Sequence, residues 1–81
     1  VQKLITTTGQ VGEIIRGRRK ARQIPQQELA DKLQVSQSRL STLESNPGTL
    51  TLDRLLVLAN LLDLEVVLRD KASGATSKVE W

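Results

Sequence analysis

Along most of this chain, apolar residues recur at the three-and-four spacing of helices buried on one side, and the breaks in that spacing predict where helices stop. Val11, Ile14, Ile15, Arg18 and Ala21 follow it, predicting a first helix over about 10–23 with Thr8 capping its start. Pro25 suits the first turn of a second helix, about 26–33, which buries Leu29, Ala30 and Leu33. Gln34 and Val35 form a short turn. Ser36 then caps a third helix, about 37–45, with Leu40 and Leu43 inward. Asn46, Pro47 and Gly48 interrupt the pattern. Thr51 opens a fourth helix, about 52–62, carrying Leu52, Leu55, Leu56, Ala59 and Leu62 and ended by Asp63.

Beyond Asp63 the period changes. Leu64, Val66 and Leu68 alternate with Glu65, Val67 and Arg69, the two-residue repeat of a strand. No second run of this kind exists in the chain, so the expected partner is the same strand of a second copy. Leu64, Val66, Val67 and Leu68 are the candidate dimerisation residues. The expected organisation is an N-terminal arm over 1–8, a helical domain over 9–63, a dimerisation strand over 64–70 and a flexible C-terminal tail over 71–81. The expected fold class is all-α, with four to five short helices plus one C-terminal β-strand that completes a two-stranded sheet between subunits.

Composition narrows the function. A chain of 81 residues is one domain, and with no Phe, Tyr, Met or Cys its core must be Leu, Ile, Val and Ala. So small a core gains from oligomerising. Without Cys there is no disulfide or thiolate chemistry, and without His the usual general base and commonest metal ligand are missing. The nine carboxylates are scattered, so neither a metal, a cofactor nor an enzymatic activity is expected. No apolar run approaches the ~18 residues of a membrane span, and the N-terminus lacks a signal-peptide pattern. A cytoplasmic location without a membrane partner is expected. The net charge of +3 conceals an asymmetry: residues 1–43 carry +5 and residues 44–81 carry −2. A basic front and an acidic rear suggest a polyanion on one side and a different partner on the other.

The informative segment is Gln26 to Asn46. Two short helices share a tight turn, and small Ala30 sits where they cross. Gln37, Ser38, Ser41, Thr42 and Ser45 fall on one side of the third helix, opposite its leucines, and none is a carboxylate. Such a face can approach phosphates without repulsion. Gln matches the donor–acceptor edge of adenine, while Ser and Thr read either partner or touch a thymine methyl. A merely solvated helix face would favour Glu, Lys and Ala over Ser and Thr. Arg39 points sideways from this row, within reach of a phosphate. Ser36 caps, contacts phosphate, or does both.

Through Arg19, Gln26, Glu28, Leu29, Ala30, Leu33, Val35, Ser36, Leu40, Leu43 and Glu44, residues of about 13–62 resemble the lambda repressor/Cro (XRE-type) helix-turn-helix family. The resemblance implies base contacts from Gln37, Ser38 and Thr42, with Ser41 a further candidate. It implies phosphate contacts from Gln26 and Asn46, alongside Ser36 and Arg39, and an internal ion pair between Arg19 and Glu44. Gln34 departs from the family, which usually has Gly there; strain of about a kcal/mol or less is expected. Arg18, Lys20 and Arg22 read as solvated charges that attract DNA nonspecifically.

Residues 44–71, followed by a polar tail ending in Glu80 and Trp81, are similar to HipB-type antitoxins of HipA toxin kinases. The features carried over are the Asn46–Pro47 break, the strand and the terminal Trp. A Trp at the tip of a polar tail wastes apolar area unless something buries it. Within the resemblance Trp81 enters a pocket on the toxin; otherwise it folds back on its own domain or is incidental. The expected function is a dimeric, sequence-specific DNA-binding antitoxin that represses its own operon at palindromic operators and neutralises a HipA-type Ser/Thr kinase. The alternatives are a phage- or chromosome-type repressor without a toxin partner, and an adaptor using the helical face for protein contact. The expected partners are therefore double-stranded operator DNA, a second copy of the chain and a toxin kinase.

Overall fold

The computed structural model describes residues 2–71. Among them it places α1 (Thr8–Ala21), α2 (Gln26–Leu33), α3 (Gln37–Ser45) and α4 (Leu52–Leu61), with a 3-10 turn at Pro47–Thr49 between α3 and α4.

Side-chain caps set the helix starts. The Gln10 side-chain oxygen accepts the backbone N–H groups of Thr6 at 2.6 Å and Thr7 at 2.9 Å. This reach-back starts α1 at Thr8, so the residue before the helix is Thr7, and Thr8 belongs to the helix itself. The Ser36 hydroxyl accepts from the Arg39 N–H at 3.1 Å, and Thr51 accepts from Arg54 at 3.2 Å. Pro25 stands just before α2 and not in its first turn. Its φ of −64° suits the extended backbone found there, and its carbonyl accepts the Leu29 N–H at 3.2 Å.

Three helices end alike. Gln23 (φ 58°), Gln34 (φ 64°) and Asp63 (φ 57°) turn left-handed after α1, α2 and α4. The next N–H, of Ile24, Val35 or Leu64, then reaches back to the carbonyl of Arg19 (3.0 Å), Ala30 (3.0 Å) or Ala59 (2.7 Å). This is the Schellman closure, and its apolar residue packs against the core in each case. The polar chain ends are satisfied and the backbone is steered inward by the same residue.

The core consists of Ile15, Leu29, Ala30, Leu33, Leu40, Leu43, Leu58 and Leu62. On α4 the inward face is Leu58, Ala59 and Leu62, while Leu52 and Leu56 are 66% and 47% exposed. α1 crosses α3 at Gly12, where an added Cβ would lie 2.2 Å from the Glu44 carbonyl oxygen, so only Gly permits that approach.

Arg18 and Arg22 are not simply solvated. Arg18 Nε donates to the Leu62 carbonyl at 2.9 Å, and Arg22 forms an ion pair with Asp63. Both tie α1 to the C-terminus of α4, where free carbonyls carry partial negative charge. Their cations hold Asp63 below its ordinary 3.8, through the Arg22 hydrogen bond first and then its charge.

Residues 64–71 take up no regular secondary structure, and no strand forms among the described residues. Leu64 is half-buried, whereas Val66, Val67 and Leu68 are 48%, 69% and 96% exposed. A strand needs the N–H and C=O groups of a neighbour, and no described residue supplies them to 65–71. Trp81 and most of the expected tail lie outside the described residues.

Candidate nucleic-acid interface

α2, the Gln34 turn and α3 form the helix-turn-helix. Leu40, Leu43 and Glu44 hold α3 from behind, and Gln37, Ser38, Ser41, Thr42 and Ser45 stand exposed on its other side. The row is shaped by hydrogen bonds within the helix. Thr42 Oγ1 donates to the Ser38 carbonyl at 3.1 Å and Ser45 Oγ to the Ser41 carbonyl at 3.0 Å. With its proton committed, Thr42 offers outward only lone pairs and a methyl group. Ser36 and Ser38 hydroxyls lie 3.3 Å apart at the helix start.

Behind this row Arg19 meets Glu44 in a two-pronged ion pair: Nε to Oε2 at 2.7 Å and Nη2 to Oε1 at 3.3 Å. Arg19 also donates to the Ile24 carbonyl at 3.0 Å. With Arg19 8% and Glu44 3% exposed, the pair ties α1 to α3 from inside the domain. Burial pushes the Glu44 carboxyl up. Hydrogen bonds from Arg19 and Gln26, with the charges of Arg19 and of Arg16 3.6 Å away, outweigh this and hold it below its ordinary 4.5.

Gln26, expected on a phosphate, is half-buried. Its Nε2 donates to Glu44 Oε1 at 3.0 Å, and its Oε1 accepts from Gln37 Nε2 at a long 3.4 Å. Nothing local in the sequence signals this link, because Gln26 and Glu44 are brought together only when α2 packs on α3. Ser36, Arg39 and Asn46 are exposed at the two ends of α3. Arg39 borders a shallow cleft of about 560 Å³ also lined by Lys32, Arg54 and Asp53, two cations the sequence reading did not single out. Among the described residues no His, Cys, Asp or Glu group could hold a metal, and no helix is long and apolar enough to cross a membrane.

A Helix-turn-helix family model matches residues 15–68. No curated protein sequence matches. Among solved structures, the chain is similar to one in a HipA–HipB–O2–O3 complex, at 28% identity and a TM-score of 0.76, covering 85% of this chain and 97% of that one. It is also similar to the chain in a HipB–O1–O2 complex, at 28% identity and a TM-score of 0.76, covering 85% of this chain and 100% of that one. A complex of a HipB variant with an O2 20-mer gives 27% identity and a TM-score of 0.77, over 86% of this chain and 97% of that one.

Proposed function

This chain belongs to the helix-turn-helix family, and from that premise we propose that it is a dimeric repressor whose α3 enters the major groove of a palindromic operator. One observation carries the reading: the row Gln37, Ser38, Ser41 and Thr42 is exposed, free of carboxylates and backed by a packed leucine core. Those four side chains read bases. Gln26, Ser36, Arg39 and Asn46, near the two ends of α3, grip phosphates, which hold the register without reading sequence. Val66, Val67 and Leu68 expose apolar surface on a segment whose side chains alternate as in a strand, which supports pairing with a second copy through Leu64 to Leu68. Two copies then place their third helices about 34 Å apart.

Selection of the full chain against random-sequence duplex DNA tests this. A palindrome should emerge, and affinity for it should fall steeply as salt rises. Failure to enrich any sequence, or affinity insensitive to salt, would rule the reading out.

The likeness to HipB in complex with HipA supports a finer reading as an antitoxin that also binds a HipA-type toxin kinase; Trp81 is the contact proposed for it. Co-expression with such a kinase should retain it on the full chain and lose it when residues 72–81 are removed, with DNA binding unchanged. Equal retention without the tail removes Trp81 from the account; no retention at all leaves a repressor without a toxin partner.

A further inference from the structure

The Glu44 side chain is completely buried, and it accepts hydrogen bonds from both Arg19 and Gln26. An ionised carboxylate can only accept. Gln26 must therefore turn its NH2 toward Glu44, which points its amide oxygen toward the start of α3. That oxygen also can only accept, so Gln37 presents its own NH2 there, at 3.4 Å. The polarity of the Gln37 amide is then set: Nε2 on the Gln26 side, Oε1 on the other. Without this constraint a Gln amide can flip by half a turn and show either order of donor and acceptor. In the major groove, the order matters. Adenine shows an acceptor and a donor side by side, whereas guanine shows two acceptors.

We propose that Glu44 is a positioning residue for base recognition, setting the amide polarity of Gln37 through Gln26. The inference rests on the reading above, in which Gln37 faces a base. It gives the buried ion pair a second role besides joining α1 to α3. It also makes Gln26 more than a phosphate contact, since its amide relays the polarity of a charge inside the domain to the protein surface.

The variants Gln26→Met and Glu44→Gln separate this role from a structural one. Met fills the place of Gln26 without hydrogen-bonding, and leaves Arg19 paired with Glu44. Gln at position 44 has a single oxygen for Arg19 Nε, Arg19 Nη2 and Gln26 Nε2, the last two of which share Oε1 in the wild type, so the polarity of the Gln26 amide is no longer fixed by a carboxylate. Wild type and variants are each selected on random-sequence duplex DNA. The base read by Gln37 is identified as the one whose preference disappears in Gln37→Ala. At that base, Gln26→Met should erode the wild-type preference by about fivefold or more, the discrimination of one bidentate contact. Glu44→Gln should erode the same preference. Preferences at the bases read by Ser38 and Ser41 should persist in both variants. An unchanged preference at the Gln37 base in Gln26→Met, or equal erosion at every base, overturns the proposal, whether or not Glu44→Gln folds. If the wild type itself selects nothing, the operator reading fails and takes this one with it.

Discussion

Gln34 carries the turn between α2 and α3 at φ 64°, a left-handed backbone that costs a residue with a Cβ about 1 kcal/mol. Gly there relieves that cost but gives the unfolded chain more freedom, about 0.4–1 kcal/mol in the other direction. Gln34→Gly should therefore raise stability by up to about 0.6 kcal/mol, a gain of a few degrees at most in the midpoint of thermal unfolding for a domain this size. A lowered midpoint would show that the Gln34 side chain makes a stabilising contact. This strain was legible in the sequence, because a turn that usually takes Gly held Gln. Gly12 was not legible. Its need for a missing Cβ comes from the Glu44 carbonyl, which lies 32 residues further along and approaches only when α1 crosses α3. The same holds for the Gln26 amide on Glu44: each residue is polar and unremarkable by itself, and only the packed helices bring them to 3.0 Å.

At the scale of elements, hydrophobic period located the helices and left their ends to be decided by side chains. α2 and α3 have the bounds the spacing predicts, since Ser36 is a local cap and the Leu29, Leu33, Leu40 and Leu43 pattern is unambiguous. α1 differs at its start because Gln10 reaches back to Thr6 and Thr7, an interaction weaker in sequence signal than a Ser or Thr cap. The closures after α1 and α4 were hidden because Gln23 and Asp63 take the left-handed position that Gly usually marks, and no Gly among the described residues has positive φ. α4 is a different case. Leu52, Leu55, Leu56, Val57, Leu58, Leu61 and Leu62 leave almost no polar side to orient it, so period alone did not place Leu58 inward. Packing against the rest of the core chose Leu58, Ala59 and Leu62 and left Leu52 and Leu56 outward. Arg18 and Arg22, which looked like surface charge along α1, became meaningful only with the end of α4 beside them.

For the whole molecule, the candidate site was the most legible part, because it is carried on one short helix whose polar and apolar sides are cleanly divided. The buried ion pair, the Gln34 turn and the leucine core together hold that helix rigidly with its uncharged row outward, and recognition of DNA follows from this placement. On the proposed reading, the uncovered Leu52 and Leu56 of α4 and residues 66–68 serve a second copy while α3 faces the groove. Amide chemical shifts of isotope-labelled protein, followed as its selected duplex is added, test that division directly. The largest changes should fall on Gln26, on Ser36 through Thr42 and on Asn46, with Leu52 and Leu56 unaffected. Changes concentrated on α4, with α3 unmoved, would contradict it.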